Sequence, residues 1–162
     1  MTYTTDVTEQ GDNEIVISRS FAAPPHLVFD ALTKPELMKR WLKGPDGWWM
    51  DICDVDLRQG GRYRIAWSGP KDQSMEISGE YRTVDRPNRL VSTEQMAGTD
   101  HAALSSAVIE ARGSETQMTT TMTYPSRETR DQTVASNMAA GIAASHKWLE
   151  LVLEEIAGEV AR

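Results

Sequence analysis

The stretch DVDLRQGGRYRIAW, Asp54–Trp67, combines a tight turn with an alternating strand. Gly60-Gly61 at the entrance to the strand supplies the positive φ or the close backbone approach that a tight turn needs. Alternation along the strand places Tyr63, Ile65 and Trp67 on one face. Three bulky side chains on one face must either pack against another layer or line a cavity. The stretch therefore predicts a sheet with one covered face.

Similar strand signals continue on both sides of this stretch, from residue 48 to residue 124. The segments between them are rich in Gly, Pro, Asn and Asp and are short enough for hairpin connections. Short turns between consecutive strands are typical of an antiparallel meander. The predicted strands are Trp49–Asp56, Arg62–Trp67, Ser74–Val84, Arg89–Met96, Ala103–Ala111 and Thr116–Tyr124.

The residues before the meander predict one strand and two short helices. Glu14–Phe21 alternates in the way that a first strand requires. Pro24-Pro25 ends that strand and suits the first turn of a helix, and Pro35 can open a second short helix through Leu42. Residues 1–13 are polar and rich in threonine, so they predict a flexible lead-in to a single domain over residues 14–160.

The pattern changes to a helical period after Pro125, where Ser126 is a candidate N-cap. Apolar positions then recur at spacings of three and four residues, which predicts one long amphipathic helix. These positions are Val134, Met138, Ile142, Leu149, Val152 and Ile156. The whole order predicts an α+β fold, in which a curved antiparallel sheet is covered on its apolar face by the long C-terminal helix.

A sheet that curls around a helix without touching it everywhere leaves a pocket between the two. We expect Trp67 to point at the C-terminal helix near Met138. Aromatic and methionine side chains are typical of adaptable apolar pockets, although the same side chains equally suit a filled core. The predicted pocket lining is Trp41, Tyr63, Ile65, Trp67, Tyr81, Met118, Met122, Met138 and Ile142.

Composition excludes several classes of partner. The 162-residue chain has a formal net charge of −7, which disfavours nucleic acid and anionic membrane surfaces. The single cysteine, Cys53, excludes an internal disulfide and fits a reducing compartment. The first residues lack the basic and apolar regions of a secretory signal, and no apolar run reaches the roughly 20 residues that span a bilayer. We therefore expect a cytoplasmic protein without membrane insertion.

Metal and cofactor sites are not predicted. Asp51, Asp54 and Asp56 surround Cys53, but the four positions alternate between the two faces of a strand. The carboxylates are better interpreted as a solvated strand edge that faces nearby arginines.

Candidate catalytic groups are few. They are His146 on the C-terminal helix, Tyr81, and either Glu80 or Glu94, whose face the sequence leaves open. A general base needs a partner within hydrogen-bond reach, and the sequence assigns none.

Several separated motifs resemble the START-like, or SRPBCC, superfamily, in the branch related to the C-terminal domain of the heat-shock-protein-90 ATPase activator. They are ISRSFAAPPHLVFDALTKPELMKRWL (Ile17–Leu42), GPDG (Gly44–Gly47), DLRQGGRYR (Asp56–Arg64), GEYRTVDRPNRLVST (Gly79–Thr93) and the terminal helix around Gly141. The resemblance implies a helix-grip fold, in which a sheet wraps around the last helix and encloses a hydrophobic cavity. Relatives commonly have an aromatic residue directly after the glycine that matches Gly141, whereas this chain has Ile142.

Three functions are compatible with this sequence. The first is non-catalytic binding of a lipid-, sterol- or polyketide-like molecule between sheet and helix. The second is a cyclase- or hydratase-like enzyme that uses polar residues of the cavity. The third is a protein-interaction or stress-related, co-chaperone-like role, and homodimer formation is compatible with all three.

Overall fold

The computed structural model describes residues 3–160, apart from the side chain of Val160. Within that range the strands are β1 (Asp6–Gln10), β2 (Glu14–Phe21), β3 (Trp49–Val55), β4 (Arg62–Ser68), β5 (Ser74–Asp85), β6 (Arg89–Met96), β7 (Ala103–Arg112) and β8 (Glu115–Thr123). They form one sheet in the order β1-β2-β8-β7-β6-β5-β4-β3. Every neighbouring pair is antiparallel, so β1 and β3 are the edges.

The helices described are α1 (Pro25–Thr33), α2 (Pro35–Trp41), α3 (Arg127–Ala135) and α4 (Met138–Val160). Helices α1 and α2 connect β2 to β3, and each has a proline in its first turn, as the sequence predicts. A short 3-10 helix, Pro70–Asp72, connects β4 to β5. The curved antiparallel sheet with the long terminal helix is the helix-grip arrangement, which confirms the predicted fold class.

The C-terminal half of α4 closes one end of this arrangement. Leu149 and Leu153 are 0 % and 2 % exposed and belong to a core cluster with Phe21 and Phe29. Phe21 comes from the end of β2 and Phe29 from α1, so sheet, short helices and terminal helix meet there. Burying four large apolar side chains in one cluster is the main stabilising contact of this end.

The predicted flexible lead-in over residues 1–13 differs from the structure, in which Asp6–Gln10 is strand β1. Its residues pair with β2 from Asp6 opposite Ser18 to Gln10 opposite Glu14, around a turn in which Gly11 has a φ of 56°. Backbone hydrogen bonds hold this edge strand, and its side chains are mostly exposed. Because Val7 is its only apolar residue, the strand has no hydrophobic alternation that sequence reasoning could detect.

The single long helix that the sequence predicts is wrong, because the chain breaks it at Ser136-Asn137 into α3 and α4. Asn137 has a φ of 65°, a left-handed conformation that asparagine adopts more readily than most other residues. The predicted cap of α3 is confirmed, since Ser126 Oγ accepts a hydrogen bond from the Thr129 N–H at 3.1 Å. The apolar spacing continues across the break, so periodicity alone does not reveal it.

Helix α3 is fixed to the first hairpin by a buried cation. Arg130 is 3 % exposed, and its guanidinium donates to the carbonyl of Glu14 at 3.0 Å. The same side chain pairs with Asp131 at 2.7 Å and with Glu9 of β1 at 3.5 Å. This arginine therefore ties β1, β2 and α3 together beside the start of α4.

Candidate functional site

The concave face of the sheet has a floor of small side chains at its centre. In β6 and β7, Ser92 lies opposite Ser105, and Ser92 is also opposite the inward Tyr81 of β5. Thr120 of β8 lies on the same face. Ser92, Ser105 and Thr120 are half-buried, although they belong to interior strands and face α4. Side chains in such positions keep accessible surface because the helix does not touch them.

The first turns of α4 form a loose roof above this floor. Met138 and Ile142 are half-buried and pack only at the edge of a cluster that includes Met122 and Tyr124. Their helical neighbours Ala139–Gly141 are exposed. The space between this roof and the floor, lined by Ser92, Ser105, Thr120, Met138 and Ile142, is called the recess below.

A transverse row of residues crosses the concave face at one end of the recess. Tyr63 of β4 lies opposite Gly79 of β5, and the register of β5 and β6 places Gly79 beside Glu94. Glu94 lies opposite Ala103 of β7, and the register of β7 and β8 places Ala103 beside Tyr124. The row therefore has a small residue on each side of Glu94 and a tyrosine beyond each small residue.

Gly79 provides the space that the Tyr63 ring occupies. A Cβ added at Gly79 would lie 2.8 Å from Cε1 of Tyr63 and 1.8 Å from the carbonyl oxygen of Thr93. The Tyr63 hydroxyl crosses over this glycine and donates to that Thr93 oxygen at 2.6 Å. The Tyr81 ring packs on Tyr63 with centroids 5.4 Å apart. These contacts hold the Tyr63 phenol in a fixed position next to Glu94.

Glu94 is an acid with no partner among residues 3–160: no side chain there donates a hydrogen bond to it or pairs with its charge. Burial raises the pKa of its carboxyl. Burial is also the main cause that raises the pKa of Tyr63 and of Tyr124, and the nearby Glu94 charge raises the pKa of both phenols further. The carboxyl therefore lies within electrostatic reach of both tyrosines.

A second polar group, separate from Glu94, lies where β2 meets α4. His146 is 7 % exposed, its Nδ1 lies 2.9 Å from Oγ1 of Thr5, and its ring meets Phe21 edge-on. Burial, and then the Arg19 charge, lower the pKa of His146 to about 4, so the ring is neutral at pH 7. Arg19 itself donates to the carbonyl of Ser20 at 2.7 Å and lies 3.6 Å from Glu150. The histidine is thus held by structural contacts.

The predicted pocket residues fall into two groups. Tyr63, Tyr81, Met122, Met138 and Ile142 border the recess or the transverse row. The others lie in packed clusters: Trp41 and Met118 in the core with α1 and the C-terminal half of α4, and Ile65 and Trp67 beside Met38 of α2.

Trp67 does not point at α4, contrary to the sequence expectation. Its indole N–H donates to the carbonyl of Leu42 at 2.7 Å, and its ring contacts Gly44. The residue is 5 % exposed. Its partners come from the end of α2 and the loop that follows, because α2 covers this end of β4.

Sequence reasoning missed most of the recess. Ser92, Ser105, Thr120, Gly79 and Ala103 carry no chemical signal of their own, and their importance comes from sharing one face of adjacent strands. Only the pairing register of β5 to β8 brings them together, although small residues at alternate positions of β6 and β7 are visible in the sequence.

The structure also resolves the face of the candidate catalytic acids. Glu80 lies on the convex side, where it pairs with Arg82 at 3.4 Å, whereas Glu94 lies on the concave side. Among the residues described, no hydrogen bond joins any two of His146, Tyr81, Glu80 and Glu94.

The acidic residues around Cys53 take part in edge contacts. Asp56 accepts from Arg58 at 2.9 Å, Asp54 lies opposite Arg64, and Asp51 accepts from the indole of Trp49 at 2.7 Å. Within residues 3–160 no group of three metal-binding side chains comes together. In the same range, the helices are too short or too polar to cross a membrane.

Two surface depressions lie away from α4. One, of about 380 Å³, is at the ends of β3 to β6 and is lined by residues such as Trp67, Met75 and Met96. The other, of about 450 Å³, is beside the Gly60 turn and includes Glu80 and Tyr81. Both are open to solvent, and neither shares a lining residue with the recess.

Comparison with known proteins agrees with this architecture. Residues 22–154 match the family described as Activator of Hsp90 ATPase homolog 1-like protein. A crystal structure of a protein from Rhodobacter sphaeroides is 26 % identical, with a TM-score of 0.89 over 94 % of this chain and 99 % of that chain. No curated protein matches the chain.

Two further solved structures share the fold at lower identity. Protein Ms6760 from Mycobacterium smegmatis is 23 % identical, with a TM-score of 0.82 over 93 % of this chain and 96 % of that one. Protein NE0264 from Nitrosomonas europaea is 24 % identical, with a TM-score of 0.80 over 93 % of this chain and 99 % of that one.

Proposed function

Because the chain belongs to the Activator of Hsp90 ATPase homolog 1-like family and its concave face leaves a recess beneath α4, we propose that the protein binds an apolar small molecule in that recess. Lipid-, sterol- or polyketide-like molecules are the classes that this proposal covers. They enter between the first turns of α4 and strands β6 to β8.

The observation that carries this proposal is the half-burial of Ser92, Ser105 and Thr120 on the inner face of a covered sheet. A closed core would contain large apolar side chains at these positions, because protein interiors are close-packed. Small floor residues beneath a helix that keeps Met138 and Ile142 half-buried leave room for a guest.

The chemistry of the walls supports an apolar guest. Tyr81 and Met122 lie beside Ser92 and Ser105 on the floor, and Met138 and Ile142 lie above. Ligand pockets in proteins are lined mainly by such hydrophobic and aromatic groups, with a few polar groups that orient the ligand. Methionine also adapts its shape to different guests.

A thermal-shift screen with fatty acids, sterols, flavonoids and polyketides tests the proposal, together with native mass spectrometry of freshly purified protein for a co-purified molecule. We expect at least one apolar class to raise the melting temperature. Ser105→Phe should abolish the shift because the new ring fills the recess. Ser106→Phe, on the convex face of the same strand, is the matched control and should retain the shift.

Absence of stabilisation by every class, with no co-purified molecule, would contradict the proposal. Equal loss of the shift in Ser105→Phe and Ser106→Phe would also contradict it, since the ligand would then not depend on the concave face.

The two alternative functions have less support. The candidate catalytic groups do not come together in the part of the chain described, and an acid–base mechanism needs them within hydrogen-bond reach. A protein-interaction role is supported by Trp148 and Leu151, which are 44 % and 43 % exposed on the outer side of α4. Light scattering coupled to size exclusion, with Trp148→Ala and Leu151→Ala as variants, measures whether this surface joins two copies.

A further inference from the structure

We propose that the recess selects an apolar ligand that carries a protonated amine, and that the amine pairs with Glu94. This inference rests on the proposed function, because it names the chemistry of the ligand that the recess accepts. It starts from the one acid on the concave face that has no partner among residues 3–160.

The position of Glu94 directs its carboxyl toward the recess. Gly79 lies on one side and Ala103 on the other, so no neighbouring side chain in the row covers the acid. Glu94 and the floor residue Ser92 are two positions apart in β6 and therefore project from the same face of the strand. A ligand seated on the floor thus reaches the carboxyl with one end.

The groups around Glu94 favour a cation over an anion or a hydrogen-bond donor site. The hydroxyl hydrogen of Tyr63 is already donated to Thr93, so the phenolic oxygen offers only lone pairs to a ligand. The aromatic faces of Tyr63 and Tyr81 also attract cations. Each of these contributions has the same sign as the carboxylate.

No positive side chain of the concave face is near enough to replace the amine. Arg19 is the buried cation of this face, and it already contacts Glu150 and the Ser20 carbonyl. Tyr124 lies beside Asn13, six residues before Arg19 along β2. At the rise of an extended strand, six residues separate the two ends of the face by about 20 Å.

The raised pKa of Glu94 fits the same account. In the free protein, burial favours the protonated acid. A neutral amine that enters the recess takes this proton, so the carboxylate and the ammonium form together and neither charge is left unpaired. Charged hydrogen bonds stabilise more than neutral ones, and the difference corresponds to a tenfold or greater change in affinity, on the order of 1.5–3 kcal/mol.

The test compares three ligands with one hydrocarbon chain: octylamine, 1-octanol and octanoate. Calorimetric titration would measure each of them with the unmodified protein, Glu94→Gln, Glu80→Gln and Ser105→Phe. We expect octylamine to bind about tenfold or more tightly than 1-octanol, and octanoate to bind most weakly. Glu94→Gln should bring octylamine to the affinity of 1-octanol, while Glu80→Gln on the convex face should preserve the difference.

The outcomes separate this inference from the proposed function. Equal binding of octylamine and 1-octanol to the unmodified protein, abolished by Ser105→Phe, would overturn the amine selectivity and leave the recess as an apolar site. Octylamine selectivity that survives Glu94→Gln or Ser105→Phe would overturn the assignment to Glu94. Absence of binding by all three ligands would overturn the inference and count against the recess as well.

Discussion

The two halves of α4 lie against the same sheet but are packed very differently. In the C-terminal half, Leu149 and Leu153 are almost completely buried among side chains from β2 and α1. In the N-terminal half, Met138 and Ile142 are half-buried above small floor residues. The first half therefore stabilises the fold, and the second half leaves space, so one helix serves as both core and roof.

The difference comes from the sheet as much as from the helix. The short helices α1 and α2 insert apolar side chains such as Phe29 and Trp41 beneath the C-terminal half of α4. Strands β6 and β7 present only Ser92 and Ser105 beneath the N-terminal half. A continuous apolar stripe along α4 is thus no guide to where the core ends, because the opposing face decides it.

The largest effect should come from truncating one side chain in each half. Leu149→Ala should lower the free energy of unfolding by about 4 kcal/mol, because it leaves a cavity in a closed cluster. Ile142→Ala, in the open half, should cost about 1 kcal/mol, because this side chain is only half-buried. Urea denaturation measures both values, and equal losses would mean that the two halves are packed alike.

A methyl group added beneath Tyr63 should have the next largest effect. Gly79→Ala places a Cβ against the Tyr63 ring and the Thr93 carbonyl, and the strain should cost about 3 kcal/mol. The control Ser78→Ala, on the other face of β5, should change the stability by less than about 0.5 kcal/mol. Chemical denaturation would compare the two variants, and a tolerated Gly79→Ala would show that the Tyr63 position is not fixed.

The boundary between the halves should respond to pH through His146. Its pKa is about 4 in the folded protein, below the ordinary value of 6.5, so the unfolded chain binds a proton that the folded protein excludes. Stability from this residue is therefore complete above pH 6.5 and is lost as the pH falls toward 4, by roughly 2–3 kcal/mol. Unfolding free energies measured at several pH values should show a shallower loss in His146→Gln, and an unchanged slope would rule out a buried neutral histidine.

The smallest effect should be a gain in stability in the open half. Gly141 lies inside α4, and a Cβ there would meet nothing within 4 Å. Gly141→Ala should raise the free energy of unfolding by about 0.5–1 kcal/mol, because alanine favours the helix. Thermal denaturation measures the gain, and a loss would place other atoms above this turn of the helix.

Sequence patterns predicted the elements of the fold better than their interior. Alternation in Arg62–Trp67 and its neighbours indicated the meander, and Pro25 and Pro35 indicated the two short helices. The break at Asn137 escaped prediction because the spacing from Val134 to Met138 continues the helical period. Strand β1 escaped because backbone pairing holds it.

The candidate site was harder to predict, for a physical reason. Tryptophan and methionine attract attention as ligand contacts, but Trp41 and Trp67 fill packed clusters and use their indole N–H groups on the carbonyls of Ala31 and Leu42. The recess depends on side chains that are small. A missing side chain becomes informative only once the strand register shows which other small residues adjoin it.

Strand β1 also has a consequence for how the protein meets other copies of itself. An uncovered strand at the edge of a sheet is a template for pairing with another chain. Here β1 covers the apolar strand β2 with a short, polar segment, and Asp6, Thr8 and Glu9 of that segment are exposed. At the opposite edge, β3 has a register irregularity between Met50 and Ile52 and exposed carboxylates at Asp51 and Asp54.

Both margins of the sheet are therefore protected against intermolecular strand pairing, one by a polar cover and the other by charge and an irregular backbone. A chain shortened to begin at Glu14 would expose the hydrogen-bonding groups of β2, next to the buried Ile15 and Ile17. The threonine-rich first residues thus guard the sheet against aggregation.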